Sequence, residues 1–137
     1  MTILESSFSN QISDETVLKF GKLYYIGNSV IIEINKGYLI DNREKEQIME
    51  DIVTKIPSSL SFYIISNRIN TYTVAPGKFH TNKKIESRIL GFYFVTYDSL
   101  ALRTAQFESK FLSVKTMQFS AIDHALLAAN RKIVSKL

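Results

Sequence analysis

The residues that most often carry catalysis are scarce in this sequence. It contains two histidines, His80 and His124, and no cysteine, which excludes cysteine nucleophiles, thiolate metal ligands and disulfides. A catalytic site otherwise needs a nucleophile with a base, paired carboxylates or metal ligands at suitable spacing, and the acidic residues do not cluster in that way. The glycines stand singly, so no phosphate-binding loop is predicted. We therefore expect no catalytic residue, no metal and no cofactor, and predict that the protein is not an enzyme.

Polar side chains gather instead where two apolar, strand-like runs end. The run 60–66 passes into an irregular loop, and the run 90–97 passes directly into a helix-forming segment. In an open α/β sheet, ligands bind beyond the carboxyl ends of the strands. We therefore predict a partner- or ligand-binding rim formed by Asn67, Arg68, Thr71, Thr73, Lys78, His80, Tyr97, Asp98 and Ser99. A strand end and a helix cap explain the turn at 96–99 equally well, so both interpretations stay open.

The charge balance of the chain is modestly basic. Its 17 lysines and arginines exceed its 13 aspartates and glutamates, which gives a formal net charge of +4. An excess of this size favours anionic partners in general but does not identify one. The densest basic stretch, 77–88, lacks the interleaved aromatic residues and glycine-rich loops of RNA-binding modules. We therefore do not expect nucleic-acid binding.

Two β-rich runs joined by a short turn open the folded part of the chain. Residues 17–28 form the first run and residues 30–35 the second, with a turn at Gly27-Asn28-Ser29. This pattern predicts an antiparallel hairpin. Residues 1–16 are polar, and we expect them to form a flexible N-terminal arm or a short amphipathic lead-in. Residues 17–137 are then a single domain, because no linker or internal repeat interrupts them.

Four segments have the sequence pattern of helices. The first, 41–56, begins with Asp41 and Glu44 at the spacing of a capping box, and a short helix is expected at 78–88. The third is capped by Asp98 or Ser99, and its predicted buried stripe consists of Leu100, Ala101, Thr104, Phe107 and Phe111. The last opens at Ser120 with Asp123, and its stripe consists of Ile122, Leu126, Ala129 and Ile133. If Phe107 is a core residue, Phe107→Ala should lower the free energy of unfolding by ~3–5 kcal/mol.

Strand-like runs at 60–66, 90–97 and 114–119 alternate with these helices. The alternation predicts an α/β fold with a mixed sheet, mostly parallel, in which the N-terminal hairpin supplies an antiparallel edge and about four helices flank the sheet. No apolar run approaches the ~20 residues that span a bilayer, and residues 1–10 lack the regions of a secretory leader. We expect a cytoplasmic protein without membrane insertion.

The chain resembles STAS-like domains, the SpoIIAA-like fold of anti-sigma-factor antagonists, and within them a bacterial branch of single-domain proteins. The matching features are the strand-to-helix segment 91–111 with Asp98-Ser99 at its cap, the pair Phe107 and Phe111, the strand 114–119 and the closing helix 120–133. The resemblance covers roughly residues 20–134 and implies the SpoIIAA-like fold. Regulatory members carry a phosphorylatable serine in an Asp-Ser-Ser-Gly-like stretch. The corresponding segment here, 70–79, has Thr71 and Thr73 but not that motif, so the phosphorylation switch is not carried over.

Three functions follow from these observations. The first is a non-catalytic STAS-like regulatory module that binds a protein partner, and a homodimer through the edge hairpin or a helix face stays open beside it. The second is a small-molecule or lipid-binding protein of the same fold, which predicts an enclosed apolar pocket behind the helices. The third is an enzyme with a dispersed site, which predicts a group of strongly shifted pKa in a cleft. We favour the first.

Overall fold

The computed structural model describes residues 1–77 and 82–135 of the chain. Its strands are β1 Asp14–Leu18, β2 Gly21–Ile26, β3 Ser29–Ile34, β4 Leu39–Ile40, β5 Phe62–Asn67, β6 Thr73–Val74, β7 Ile89–Val95 and β8 Thr116–Phe119. Its α-helices are α1 Asn42–Lys55, α2 Lys83–Glu86, α3 Ser99–Ser109 and α4 Ile122–Ser135. Two short 3-10 helices, Ile3–Glu5 and Ser9–Gln11, precede β1.

Six of the strands form one mixed sheet in the order β1-β2-β3-β5-β7-β8. The pairs β1–β2 and β2–β3 are antiparallel, whereas β3–β5, β5–β7 and β7–β8 are parallel. The remaining two strands, β4 and β6, form a separate parallel pair that the sequence pattern does not predict. The expected α/β class, the antiparallel N-terminal part and the four described helices are confirmed.

The first predicted strand is two strands in the structure. The run 17–28 is broken by a turn at Lys19-Phe20, so that β1 and β2 form a first hairpin and β2 and β3 a second. Gly21 allows this arrangement, because a Cβ atom at its position would lie 2.4 Å from the backbone oxygen of Glu33. The second hairpin turns at Gly27 as predicted, and this glycine has a positive φ of 55°. The single long strand of the sequence analysis was therefore wrong, whereas its turn was right.

Residues 1–16 differ from the expected flexible arm. Their two 3-10 helices pack on the sheet, and Ile3 and Phe8 are buried among the residues of one core cluster. Residues from Asp14 onward are already part of β1. Ile12 packs against the same cluster, whereas Met1 and Leu4 are exposed. The domain boundary drawn at residue 17 therefore has no counterpart in the structure.

The two faces of the sheet carry different layers. The helices α1 and α3 pack on one face and α4 on the other, where it shares a core cluster with Ile3 and Phe8. Because β3, β5, β7 and β8 follow one another in the same direction across the sheet, right-handed crossovers place the connecting helices on the same face. Both faces of the central strands are consequently buried, and β3 and β5 are buried at every position. The side chain of Ile133, predicted to lie in the α4 stripe, is outside the part of the chain whose side chains are described.

The helix α3 faces the sheet with a different side from the one predicted. Ala105 and Glu108 are its buried residues, and Leu112 packs against the same core just beyond the helix end. In contrast, Leu100, Phe107 and Phe111 are 64%, 51% and 42% exposed. The predicted buried stripe was therefore wrong, because the inward side of the helix includes a charged residue that finds a partner inside the protein.

The remaining helix expectations hold in part. At the first helix, the Asp41 side chain accepts a hydrogen bond from the helix backbone while the Glu44 side chain accepts one from the Asp41 N–H, so the capping box is confirmed. The short helix expected at 78–88 is the single turn α2, and residues 78–81 lie outside the described residues. Within the described part of the chain, no helix has the length and apolar character needed to cross a membrane.

Candidate functional site

The described residues at the carboxyl ends of the parallel strands line two hollows. A larger one of about 530 Å³ is open to solvent and lies between the β7–α3 turn and the end of β8, where its lining includes Tyr97, Asp98, Ser99, Leu102 and Gln118. A smaller one of about 140 Å³ lies between the loop after β5 and the first turns of α3. Of the residues predicted from the sequence, Tyr97, Asp98 and Ser99 line the larger hollow, and Arg68, Thr71 and Asp98 line the smaller one.

Asn67 and Tyr97, both predicted site residues, are brought together at this rim. The Tyr97 hydroxyl donates a hydrogen bond of 2.6 Å to the Asn67 side-chain oxygen, and the Asn67 amide donates one of 2.8 Å to Oε2 of Glu33. Asn67 is fully buried, so it supports Tyr97 rather than facing a ligand. Burial raises the pKa of the Tyr97 hydroxyl to about 12, because the phenolate would lose its hydration.

The N-terminal segment covers the same network. The backbone N–H of Ile3 donates a hydrogen bond of 2.7 Å to Oε2 of Glu33, and the Asn67 amide also donates to the Met1 carbonyl oxygen at 3.0 Å. Burial raises the pKa of the Glu33 carboxyl, and the hydrogen bonds from Asn67 and Ile3 oppose this shift only in part. Glu33 is not among the residues that line either hollow. Its shifted pKa therefore does not mark a cleft of the kind that a dispersed catalytic site would need.

Arg68, the next predicted site residue, is held inside the protein. Its Nη1 and Nη2 donate hydrogen bonds of 2.7 Å each to the two carboxylate oxygens of Glu108 on α3, and its Nε donates one of 2.7 Å to the Ser66 hydroxyl. The guanidinium also stacks on Tyr72 and Phe94, with 5.1 and 5.2 Å to the ring centroids. The arrangement uses most of the donors of Arg68 internally. Arg68 therefore links the end of β5 to α3, and its guanidinium is bound within the protein rather than free to bind a partner.

A second buried cation lies near Glu108. The Lys45 ammonium of α1 donates hydrogen bonds to the carbonyl oxygens of Ala75 and Gly77 at 2.6 and 3.2 Å. Burial lowers the pKa of Lys45, and the negative charges of Glu108 and Asp41 oppose this shift. Lys45 thus fixes the segment after β6 to α1. The sequence pattern did not predict a buried Lys45, because a lysine in an amphipathic helix normally lies on the solvent-exposed face.

The other predicted site residues lie apart or have structural roles. The Asp98 side chain accepts a hydrogen bond of 2.8 Å from the Ala101 N–H and caps α3, as the alternative interpretation of this turn expects. Ser99 is exposed at the first position of α3. Thr71 is exposed and borders the smaller hollow together with Arg68 and Asp98, whereas Thr73 is exposed in the separate β4–β6 pair. Lys78 and His80 lie outside the described residues.

The most conspicuous surface feature is one that sequence analysis assigned to the core. Leu100, Thr104, Phe107 and Phe111 follow one another at helical spacing on the solvent side of α3, and we call them the α3 stripe. The rings of Phe107 and Phe111 stack edge to face with their centroids 5.2 Å apart. Arg103 and Lys110, both exposed, flank the stripe on one side. Single exposed apolar residues are common on proteins, but Leu100 and Phe107 on α3 and Phe111 just beyond its end form a patch.

The described residues do not bring three histidine, aspartate or glutamate side chains together in a way that could hold a metal ion. No protein-family model, curated protein or solved structure matches this chain. The STAS-like resemblance therefore stays a hypothesis.

Proposed function

We propose that this protein is a non-catalytic protein-interaction module, of the STAS-like regulatory kind that its sequence resembles. The observation that supports this proposal is the α3 stripe, with Leu100, Phe107 and Phe111 between 42% and 64% exposed in one line. Aromatic residues are enriched at the centres of protein interfaces, where they contribute large apolar areas at low entropic cost. A helix that exposes them beside a fully packed core has a surface suited to a partner.

The electrostatics of the rim are consistent with a non-catalytic role. Of the groups with a shifted pKa, Glu33 and Lys45 are hydrogen-bonded to the protein backbone and line neither rim hollow. Tyr97, whose pKa is raised, lines the larger hollow, and Arg68 and Tyr72 line the smaller one, but each of these side chains is hydrogen-bonded within the protein. General acid–base chemistry requires such a group within reach of a bound substrate. The residues that do line the larger hollow include a helix cap and a tyrosine whose hydroxyl is bonded to Asn67.

The experiment is an affinity capture from a lysate of the native cell with four baits. They are the wild type, Phe107→Ser, Phe111→Ser and Leu127→Ser, the last being a matched control because Leu127 is an exposed leucine on α4, 47% exposed. We expect a protein that is retained by the wild type and by Leu127→Ser and is lost from the two phenylalanine variants. Equal capture by all four baits, or no protein partner at all, would contradict the proposal.

A small-molecule-binding function is the second candidate, and the 530 Å³ hollow is the observation that favours it. Its volume falls within the ~300–1,000 Å³ range of small-molecule sites. The lipid version of this candidate required an enclosed apolar pocket behind the helices, but the cavity of about 30 Å³ beside Ile32 and Ile48 holds about one water molecule. Native mass spectrometry of the purified protein tests this candidate. A retained small molecule that Leu102→Trp displaces would support it, and a mass equal to that of the bare chain would count against it.

A further inference from the structure

We infer that the occupant of the α3 stripe is an acidic amphipathic helix of a partner protein. This inference rests on the proposed function and names the chemistry of the partner. It follows from the length of the stripe, the recess beside it and the sign of the charges around it.

The stripe has the dimensions of a helix-docking surface. Leu100 and Phe107 lie seven residues apart on α3, which corresponds to about 10 Å along the helix axis and two helical turns, and Phe111 extends the stripe just beyond the helix end. A partner helix would meet it with apolar residues at positions i, i+3 or i+4, and i+7, as in other helix-in-groove complexes. An extended strand would require an exposed sheet edge, and α3 offers none.

A recess lies directly beside the first half of the stripe. The hollow of about 140 Å³ is bordered by Leu100, Ala101 and Thr104 on α3 and by the loop 68–72 on the other side. A cavity of about 150 Å³ can accommodate a benzene ring, so this one has room for one apolar side chain of a partner. The stripe and the recess together form a shallow groove rather than a flat patch.

The charges around the stripe favour an acidic occupant. Arg103 and Lys110 are exposed beside it, and within the described parts of the chain neither is in ion-pair contact with a carboxylate. Glu108, the one acidic residue within α3, is nearly buried and already paired with Arg68. The exposed Asp98 carboxylate borders the recess at the N-terminal end of the stripe, where it accepts a hydrogen bond from the Ala101 N–H, so the two cations exceed the exposed acidic groups around the stripe. Glutamate or aspartate residues flanking a partner's apolar face would complement the two cations and steer the encounter.

The same charges argue against a second copy of this chain as the occupant. Two α3 helices packed against each other would bring four cations together, two from each copy, against only two exposed acidic side chains, the Asp98 of each copy. Like charges placed together at an interface are costly and select against that pairing. Self-association is therefore an outcome that the experiment can detect, not the expected one.

The buried ion pair holds the stripe in the exposed position. Neighbouring residues of an α-helix point about 100° apart, so Phe107 and Glu108 cannot face the core together. As long as Arg68 binds both oxygens of Glu108, α3 cannot rotate to bury Phe107. The surface is thus preorganised, and a partner does not have to reorder the helix before binding.

The test uses two fluorescein-labelled helical peptides of roughly 18 residues, with the same leucine stripe at helix-in-groove spacing. One peptide carries glutamates beside the stripe and the other carries lysines. Fluorescence anisotropy with the wild type should show that the acidic peptide binds at least about tenfold more tightly than the basic one. Phe107→Ser should lower the affinity for the acidic peptide by at least about tenfold, whereas Leu127→Ser should leave that affinity unchanged.

The charge argument is tested separately. The double variant Arg103→Glu with Lys110→Glu should reverse the preference between the two peptides, because it reverses the sign of both flanking charges. Equal binding of the two peptides to the wild type, or unchanged binding to Phe107→Ser, would overturn the inference. A dimer in sedimentation experiments that Phe107→Ser dissociates would overturn it as well, in favour of a second copy.

The failure of this inference is distinguishable from that of the proposed function. If the lysate capture yields a partner that depends on Phe107 while neither peptide discriminates, the interaction module stands and the acidic helix is wrong. If the capture also yields no partner that depends on Phe107, the proposed function itself is wrong.

Discussion

Arg68 and Glu108 bind each other through two hydrogen bonds of 2.7 Å, one from each terminal nitrogen of the guanidinium to a separate carboxylate oxygen. Their side chains are 8% and 10% exposed, so the pair is almost entirely removed from water. The two residues are forty positions apart, on the last turn of a helix and just beyond a central strand. The pair therefore fixes the rotation of α3 relative to the sheet, and with it the identity of the exposed face.

Removal of one partner of this pair should be strongly destabilising. Glu108→Ala leaves the Arg68 charge buried without compensation, which typically costs ~3–5 kcal/mol of unfolding free energy. The double variant Arg68→Met with Glu108→Leu should lose much less, because no buried charge remains. Urea denaturation measures both, with exposed Glu46→Ala as the control. A single variant as stable as the control would show that the pair does not hold α3.

The two phenylalanines Phe107 and Phe94 should respond very differently to truncation. Phe94 is fully buried, so Phe94→Ala should cost ~3–5 kcal/mol of unfolding free energy. Phe107 is half exposed and mainly contacts Phe111, so Phe107→Ala should cost less than about 1 kcal/mol. Thermal and chemical denaturation of the two variants side by side gives the comparison. Similar losses of unfolding free energy in the two variants would instead indicate that Phe107 is buried, as the sequence pattern predicted.

Gly21→Ala should be destabilising for a purely steric reason. The new methyl group would lie 2.4 Å from the backbone oxygen of Glu33 and 2.9 Å from the Cα atom of Ile34, so β2 and β3 would have to separate. We expect a loss at or above the ~1–3 kcal/mol typical of overpacking. Lys22→Ala, at the next, exposed position of β2, should change the stability by less than about 0.5 kcal/mol. Urea denaturation of both variants checks this, and equal stabilities would refute the close approach at Gly21.

Glu33 should make the stability depend on pH. Its pKa is raised in the folded protein, so in the pH range just above the ordinary pKa of glutamate the folded state binds more protons than the unfolded state. The contribution of Glu33 to the free energy of unfolding is therefore present at low pH. It is lost as the pH rises through the pKa that Glu33 has in the folded protein. The unfolding free energy of the wild type, relative to Glu33→Gln, should therefore fall as the pH rises above the ordinary glutamate pKa of about 4.3. A difference that rises with pH in urea titrations would contradict the raised pKa.

Local signals predicted the elements that depend on neighbouring residues. The turn at Gly27 and the capping box of Asp41 with Glu44 involve groups within three residues of one another, and both are present in the structure. The Asp98 cap of α3 is of the same kind. The alternation of strands and helices then determined the sheet class correctly, because period and length distinguish these elements without knowledge of their partners.

Long-range partners account for what the sequence did not reveal. Two faces of α3 have apolar residues at helical spacing, and the face with Ala105 and Glu108 is buried only because Arg68 neutralises Glu108 from a distant strand. Glu33 is a single acid in an apolar run, and its partners Asn67 and Ile3 lie more than twenty-five positions away along the chain. Asn67 and Tyr97 were predicted at the rim from their place at strand ends, but their mutual hydrogen bond was not.

The sheet has one further property that bears on how the chain assembles. Its six strands lie side by side in the same order in which they occur in the sequence. Each strand from β2 onward pairs with a strand that has already been synthesised, and none has to leave a gap for a later one. Domains fold as units during synthesis from the N-terminal side, and short-range pairings form fastest. The hairpins β1–β2 and β2–β3 can therefore form as a nascent template at the ribosome, onto which β5, β7 and β8 are added one at a time as they emerge.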